Sequence, residues 1–197
     1  MLMRAFANFV SKILNPTFVS LAAIFLVVWN QELPISQKFL WFLLSILVAI
    51  IPTVVLYITV HKEEGVSFWA PEGKKRISAF FSWVLVALIY SVLAYFFDSP
   101  KIVLGFAFVL LFIGIINLVT ASFFKISVHC EAITLFVIIC ILVGSVNQIY
   151  LTILIFLVGW SRLYLKAHEF TEVISGIFAT LLATYLVFSF LGLATFS

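Results

Sequence analysis

Charge is what this sequence has least of. Only 10% of its 197 residues are Asp, Glu, Lys or Arg and 65% are hydrophobic, whereas a soluble domain is about a quarter charged and about half apolar. Twenty-three phenylalanines run along the whole length and leave no polar half that could form a separate soluble domain. With a mean hydropathy of +1.29, the chain reads as an integral membrane protein whose length counts membrane crossings. Cysteine is scarce too. Cys130 and Cys140 give neither a disulfide framework nor a zinc-ligand spacing. There is no internal repeat, no low-complexity tract and no alternating strand pattern of the outer-membrane barrel kind. The net charge of +3 is scattered beside apolar runs with no basic cluster among aromatics, which excludes nucleic acid as a partner. The first apolar run follows Arg4 and Lys12 and ends in VVWNQE without a small-residue cleavage site, so an uncleaved first span is expected.

What is there is a series of apolar runs. A helix needs about 20 apolar residues to cross the hydrocarbon, and in lipid it pairs every backbone group within itself. Runs at 14–30, 38–60, 77–97, 101–124 and 173–195 fit that length. The run 132–160 is long for one tilted helix and is interrupted by GSVNQ at 144–148. Two short helices, about 131–145 and 148–164, fit the break. The expected fold is all-α: a membrane helical bundle of six to seven transmembrane helices, with residues 1–197 as one membrane domain.

The polar residues gather in few places. The stretch 61–76 (HKEEGVSFWAPEGKKR) holds eight ionisable groups, and its Phe68 and Trp69 suit a headgroup belt. The second is 125–131 (KISVHCE), and the third is 159–176 (GWSRLYLKAHEFTEVISG). With two short helices between the last two, all three stretches emerge on one membrane face. A single span there would put His129 and His168 on opposite sides.

The third stretch carries the chemistry. His168 and Glu172 are four residues apart, so on a helix they share a face and can hydrogen-bond. A carboxylate on one imidazole nitrogen fixes the tautomer and raises the basicity of the other. Arg162, beside Ser161, offers a rigid fork of donors matched to phosphate oxygens. Lys125, Ser127 and His129 add a cation, a hydroxyl and a second imidazole, and Lys74, Lys75 and Arg76 add further cations. Together they describe a site for an anionic headgroup.

SRLYLKAHEFTE resembles the third signature of the type 2 phosphatidic acid phosphatase (PAP2) superfamily, S-R-x5-H-x3-D, with Glu172 in place of aspartate. VISG continues in that family's manner. KISVH resembles the second signature, P-S-G-H, keeping Ser127 and His129, with Ile126 for proline and Val128 for glycine. Of the first signature, K-x6-R-P, Arg76 could be the arginine, while Trp69 stands at the lysine and Ile77 at the proline. The resemblance covers about 61–180, which it marks as the suspected catalytic part. It implies a metal-independent phosphatase, without cofactor, acting on a lipid phosphate or polyprenyl pyrophosphate in the cell (inner) membrane. It further implies that His168 attacks phosphorus, Glu172 orients it and His129 protonates the leaving oxygen. Arg162, Arg76, Ser127 and Ser161 would hold the phosphoryl oxygens, with Lys125 or one of Lys74 and Lys75 standing in for the first-signature lysine.

Two other functions are open. HEFTE is H-E-x-x-E, one residue from a zincin motif, and would suit a metal-dependent intramembrane hydrolase whose third ligand is His129 or His61. A non-catalytic protein that binds headgroups or takes part in transport is the other. Arg4, Lys12, Lys38 and Lys101 read as topological anchors, His61 as structural, and Asn117 as an interhelical hydrogen-bonding residue. With the N-terminus on the same side, nine of the eleven Lys and Arg (residues 4, 12, 62, 74, 75, 76, 125, 162 and 166) lie on the polar face and would place it in the cytoplasm by the positive-inside rule. Most of them are also the suspected phosphate binders, so the side is left open, as is the oligomeric state.

Overall fold

The structure is a computed structural model that describes residues 1–61, 74–144 and 150–193. Most of the stretch 61–76, with Phe68 and Trp69, and most of the GSVNQ break lie outside the described residues, as do the side chains of His61, Lys74 and Lys75. Among the described residues the fold is all-helical: α1 (Leu2–Ile13), α2 (Pro16–Trp29), α3 (Ile35–His61), α4 (Lys74–Phe96), α5 (Lys101–Thr120), α6 (Val128–Gly144), α7 (Ile153–Tyr164) and α8 (Phe170–Phe190).

Four helical segments are long and apolar enough to cross a membrane: Ile35–Ile58, Arg76–Phe96, Lys101–Thr120 and Phe170–Phe190. The expected first span at 14–30 corresponds to α2, and α1 precedes it as a second helix, the two forming a pair bent by 43°. The break has a local cause. Asn15 Oδ1 accepts from Thr17 N–H at 2.9 Å, and Pro16 occupies the first turn of α2, where its missing N–H costs nothing. Counting that pair as one span gives up to five candidates, fewer than the six to seven expected. The shortfall arises because α6 and α7, at 17 and 12 residues, are shorter than a full crossing. They are nevertheless separate helices that pack on each other, so the run 132–160 is not one continuous helix.

The chain divides into two units. Met1–Asn30 with Lys125–Leu182 form the first, and Gln31–Phe124 with the chain from Ala183 onward form the second. In the second unit α3, α4 and α5 pack in sequence order. Large apolar side chains such as Phe39, Leu43, Phe81 and Leu85 face outward, while Ser45, Tyr90, Ser91 and Asn117 are buried. Ser45 Oγ lies 2.7 Å from Tyr90 Oη, joining α3 to α4. Apolar outside and hydrogen-bonded polar groups inside is the arrangement lipid demands, since unpaired polar groups there are costly. Pro52 sits inside α3 and removes one backbone donor. Next to it, Thr53 Oγ1 donates to Ala49 O at 3.1 Å.

In the first unit α1 packs on α7, α7 on α6, and α6 on α2. Val10, Val19, Cys130, Ile133, Val158 and Val173 form its buried apolar cluster. α1 is amphipathic: Leu2, Phe6, Phe9 and Ile13 face outward, and Ala7 and Val10 are buried.

Candidate functional site

The site is built where α7 ends, α8 begins and α6 starts. α7 closes with a Schellman cap: Ala167 N–H donates to Arg162 O (3.1 Å) and Lys166 N–H to Leu163 O (3.0 Å). That motif requires a left-handed residue, and here it is Lys166 at φ 53°, not the usual glycine. The tight turn brings His168 back beside the end of α7.

α8 then starts from Glu169, whose carbonyl accepts from Val173 N–H at 3.1 Å. Glu172 reaches back, and its Oε2 accepts from Glu169 N–H at 3.1 Å, half of a capping box. The same oxygen lies 2.8 Å from His168 Nδ1. A carboxylate only accepts, so Nδ1 carries the proton and the Nε2 lone pair is left bare. The expected pair therefore forms, with Glu172 also serving as a cap.

Loop 125–127 is fastened to the same turn. Lys125 Nζ donates to Ala167 O at 3.3 Å, and Ser127 N–H donates to Glu172 O at 3.2 Å. The approach is close enough to require glycine on α8. A Cβ on Gly176 would stand 2.8 Å from Ser127 O. Ser127 caps α6, its carbonyl accepting from Cys130 and Glu131 N–H at 3.0 Å each. Its hydroxyl is turned to Cys130 Sγ at 3.3 Å. His129, one residue into α6, is consequently carried toward His168 and Arg162, close enough for both to act on it electrostatically.

Arg162 is the centre of this cluster. It is 5% exposed. Its Nη1 donates to Ser11 Oγ at 2.7 Å, and its buried Nε has no partner. No carboxylate pairs with it among the described residues. The usual counter-anion of a buried guanidinium is therefore supplied by none of them.

Burial sets the electrostatics of the two histidines, and this cation adds to it. Burial, then Arg162 and His168, push His129 down to about 3. Burial also holds His168 below its ordinary value, against the opposing hydrogen bond to Glu172 and with help from Arg162 and Lys125. Both imidazoles are therefore neutral near pH 7.

Of the residues expected from sequence, the structure brings His168, Glu172, His129, Arg162 and Lys125 together. Ser161 is fully buried, and its hydroxyl donates to Ala7 O at 2.8 Å, tying α7 to α1. Arg76 belongs to the second unit, where its Nη2 donates to Ala121 O (2.7 Å) and Phe124 O (2.8 Å), closing the end of α5. Lys75 opens α4, its side chain outside the described residues. Ser11 was missed. Its signal was weak but present: Ala7 and Ser11 are small residues four apart, on the side of α1 away from Leu2, Phe6, Phe9 and Ile13. Small residues at that spacing permit close helix approach.

Comparison of this chain with protein-family models, with curated proteins and with solved structures found no match in any of the three. No group of three or more His, Cys, Asp or Glu side chains able to hold a metal occurs among the described residues. The H-E-x-x-E pair has no such third ligand gathered beside it among the described residues, and the side chain of His61 lies outside them.

Proposed function

We propose that this protein is a membrane lipid phosphatase of the PAP2 kind, removing phosphate from a lipid phosphate or polyprenyl pyrophosphate through a phosphohistidine. The observation that carries the reading is Arg162: a buried guanidinium with an open Nε and no carboxylate partner among the described residues, beside a histidine already oriented by Glu172. A phosphoryl group would supply the missing anion and sit next to the bare Nε2 of His168.

The chemistry then runs on this chain's own groups. Nε2 of His168 attacks phosphorus, the bond from phosphorus to the leaving oxygen breaks, and His129 gives that oxygen a proton. Water then attacks the phosphohistidine with His129 as base, releasing phosphate and returning His168 to its neutral form. Arg162 and Lys125 offset charge on the phosphoryl oxygens, which is the positioning and electrostatic work phosphoryl transfer needs. A bound phosphate dianion would also raise the low affinity of His129 for a proton, so the acid is charged only with substrate present. Ser127 and Ser161 support the reading as helix-joining residues, and Glu172 as the orienting carboxylate.

In this reading α6 and α7 are shortened crossings, the total is six to seven, and His129 and His168 share one face of the cell (inner) membrane. The test is phosphate release by purified protein in detergent with excess chelator, on a panel of lipid phosphates, with His168→Ala beside the wild type. Turnover that survives chelator and is lost in the variant is expected. Folded protein that binds phosphate but turns over nothing would favour the headgroup-binding alternative, and turnover lost to chelator the metal-dependent one.

A further inference from the structure

We infer that Ser11, on the amphipathic α1, is a positioning residue of the anion site, holding the Arg162 guanidinium through its hydroxyl and the His129 ring through its main chain. The inference rests on the site proposed above and adds to it an element from the far end of the chain. Two separate contacts carry it. Arg162 Nη1 donates to Ser11 Oγ at 2.7 Å, and the His129 ring hydrogen-bonds the Ser11 main chain.

The geometry of a guanidinium gives the first contact its consequence. The group is planar, with donors in a rigid fork. Nη1 points to one side, and Nε with Nη2 forms a parallel pair on another. Anchoring Nη1 on Ser11 prevents rotation of the plane. It leaves the Nε–Nη2 edge, whose buried Nε has no hydrogen-bond partner among the described residues. That edge is the one that grips phosphate oxygens in bidentate fashion. Without Ser11 the same cation would be present but free to turn, and a mobile donor pair binds less tightly than a fixed one.

α1 is itself well seated for this task. Ala7 O accepts from Ser161 Oγ at 2.8 Å, Phe6 and Trp160 rings lie 5.8 Å apart, and Val10 joins the buried cluster with Cys130, Val158 and Val173. Ser11 lies one residue beyond Val10 and one turn beyond Ala7, on the side facing α7. Helix pitch therefore delivers its hydroxyl to Arg162 once the two apolar contacts are made.

The experiment measures affinity for inorganic phosphate, read from its protection against thermal unfolding in detergent, for wild type, Ser11→Ala, Ser11→Cys and Ser11→Thr. Turnover is measured alongside. Removing the hydroxyl should weaken phosphate binding by about 10-fold, the size of one lost hydrogen bond to a charged group. The loss should appear in kcat/KM as well. Ser11→Cys keeps the volume and repeats the test if alanine disturbs folding, and Ser11→Thr, which keeps the hydroxyl, should restore affinity to within about 3-fold. Alanine and cysteine variants that bind phosphate as wild type does would overturn the inference, as would wild-type protein that phosphate fails to protect. Phosphate protection that depends on Ser11 without any turnover would support the inference and defeat the phosphatase reading. Turnover indifferent to Ser11 would do the reverse.

Discussion

His168 Nδ1 and Glu172 Oε2 stand 2.8 Å apart, one helical turn from each other in sequence, and the same carboxylate oxygen caps α8 through Glu169 N–H. One side chain thus has a chemical task and a structural one, and mutations can separate them. Glu172→Gln keeps an oxygen for the cap but loses the charge facing the ring. Phosphate release should fall by about 100-fold, in the range of a general acid–base contribution, with little change in melting temperature. Glu172→Ala should lose the activity and also about 1 kcal/mol of cap stability. Steady-state kinetics beside thermal melts checks both.

Stability should depend on pH through the two histidines. Both are held below the ordinary 6.5, His129 to about 3. The groups acting on them are Arg162 and the other imidazole on His129, and Glu172, Arg162 and Lys125 on His168. Between about pH 6.5 and the folded values the unfolded chain takes up protons that the folded chain refuses. Stability is therefore full above about pH 6.5 and lost as pH falls from there, by up to about 1.4 kcal/mol per pH unit per histidine. Melting temperature should drop between pH 7 and pH 5, and His129→Asn or His168→Asn should each flatten that slope. An equal slope in both variants would mean that other groups carry it.

Arg162 is buried and no carboxylate pairs with it among the described residues, an arrangement that costs folding stability. Arg162→Met should therefore melt no lower than wild type in the absence of phosphate, while losing all protection by phosphate. In the wild type, phosphate at 100 times its dissociation constant should add about 2.7 kcal/mol. Titrations of both proteins, followed by thermal unfolding, make the comparison.

Gly176 faces the Ser127 carbonyl. A Cβ there would sit 2.8 Å from a backbone oxygen, which cannot rotate away as a side chain could. Gly176→Ala should cost about 1–3 kcal/mol by overpacking. It should also weaken turnover more than Gly159→Ala, where the Cβ meets only Val173 Cγ1 at 3.2 Å.

Arg76 closes the end of α5 with two donations from one nitrogen. Arg76→Met leaves both carbonyls without that donor and should lower stability by about 1–3 kcal/mol, measurable as a lower melting temperature.

The amino-acid sequence by itself determined what depends on neighbours along the chain. Apolar runs of crossing length made the chain helical and placed α3, α4, α5 and α8. The spacing of His168 and Glu172 marked them as partners, but His168 precedes α8 and reaches Glu172 from the turn that closes α7. Asn15 and Pro16 carried the signal for the bend between α1 and α2, and the first apolar run begins beside them. Tertiary structure decided the rest. Ser161 and Ser127 could have pointed at a ligand, but packing turned one to Ala7 O and the other to Cys130. Arg76, read from a loose signature, was drawn to the carbonyls that end α5. Ser11 meets Arg162 across 151 positions of sequence, and no local pattern encodes that pairing. It exists because Ala7 and Val10 seat α1 against the first unit, and a buried guanidinium takes the acceptor that packing leaves within reach.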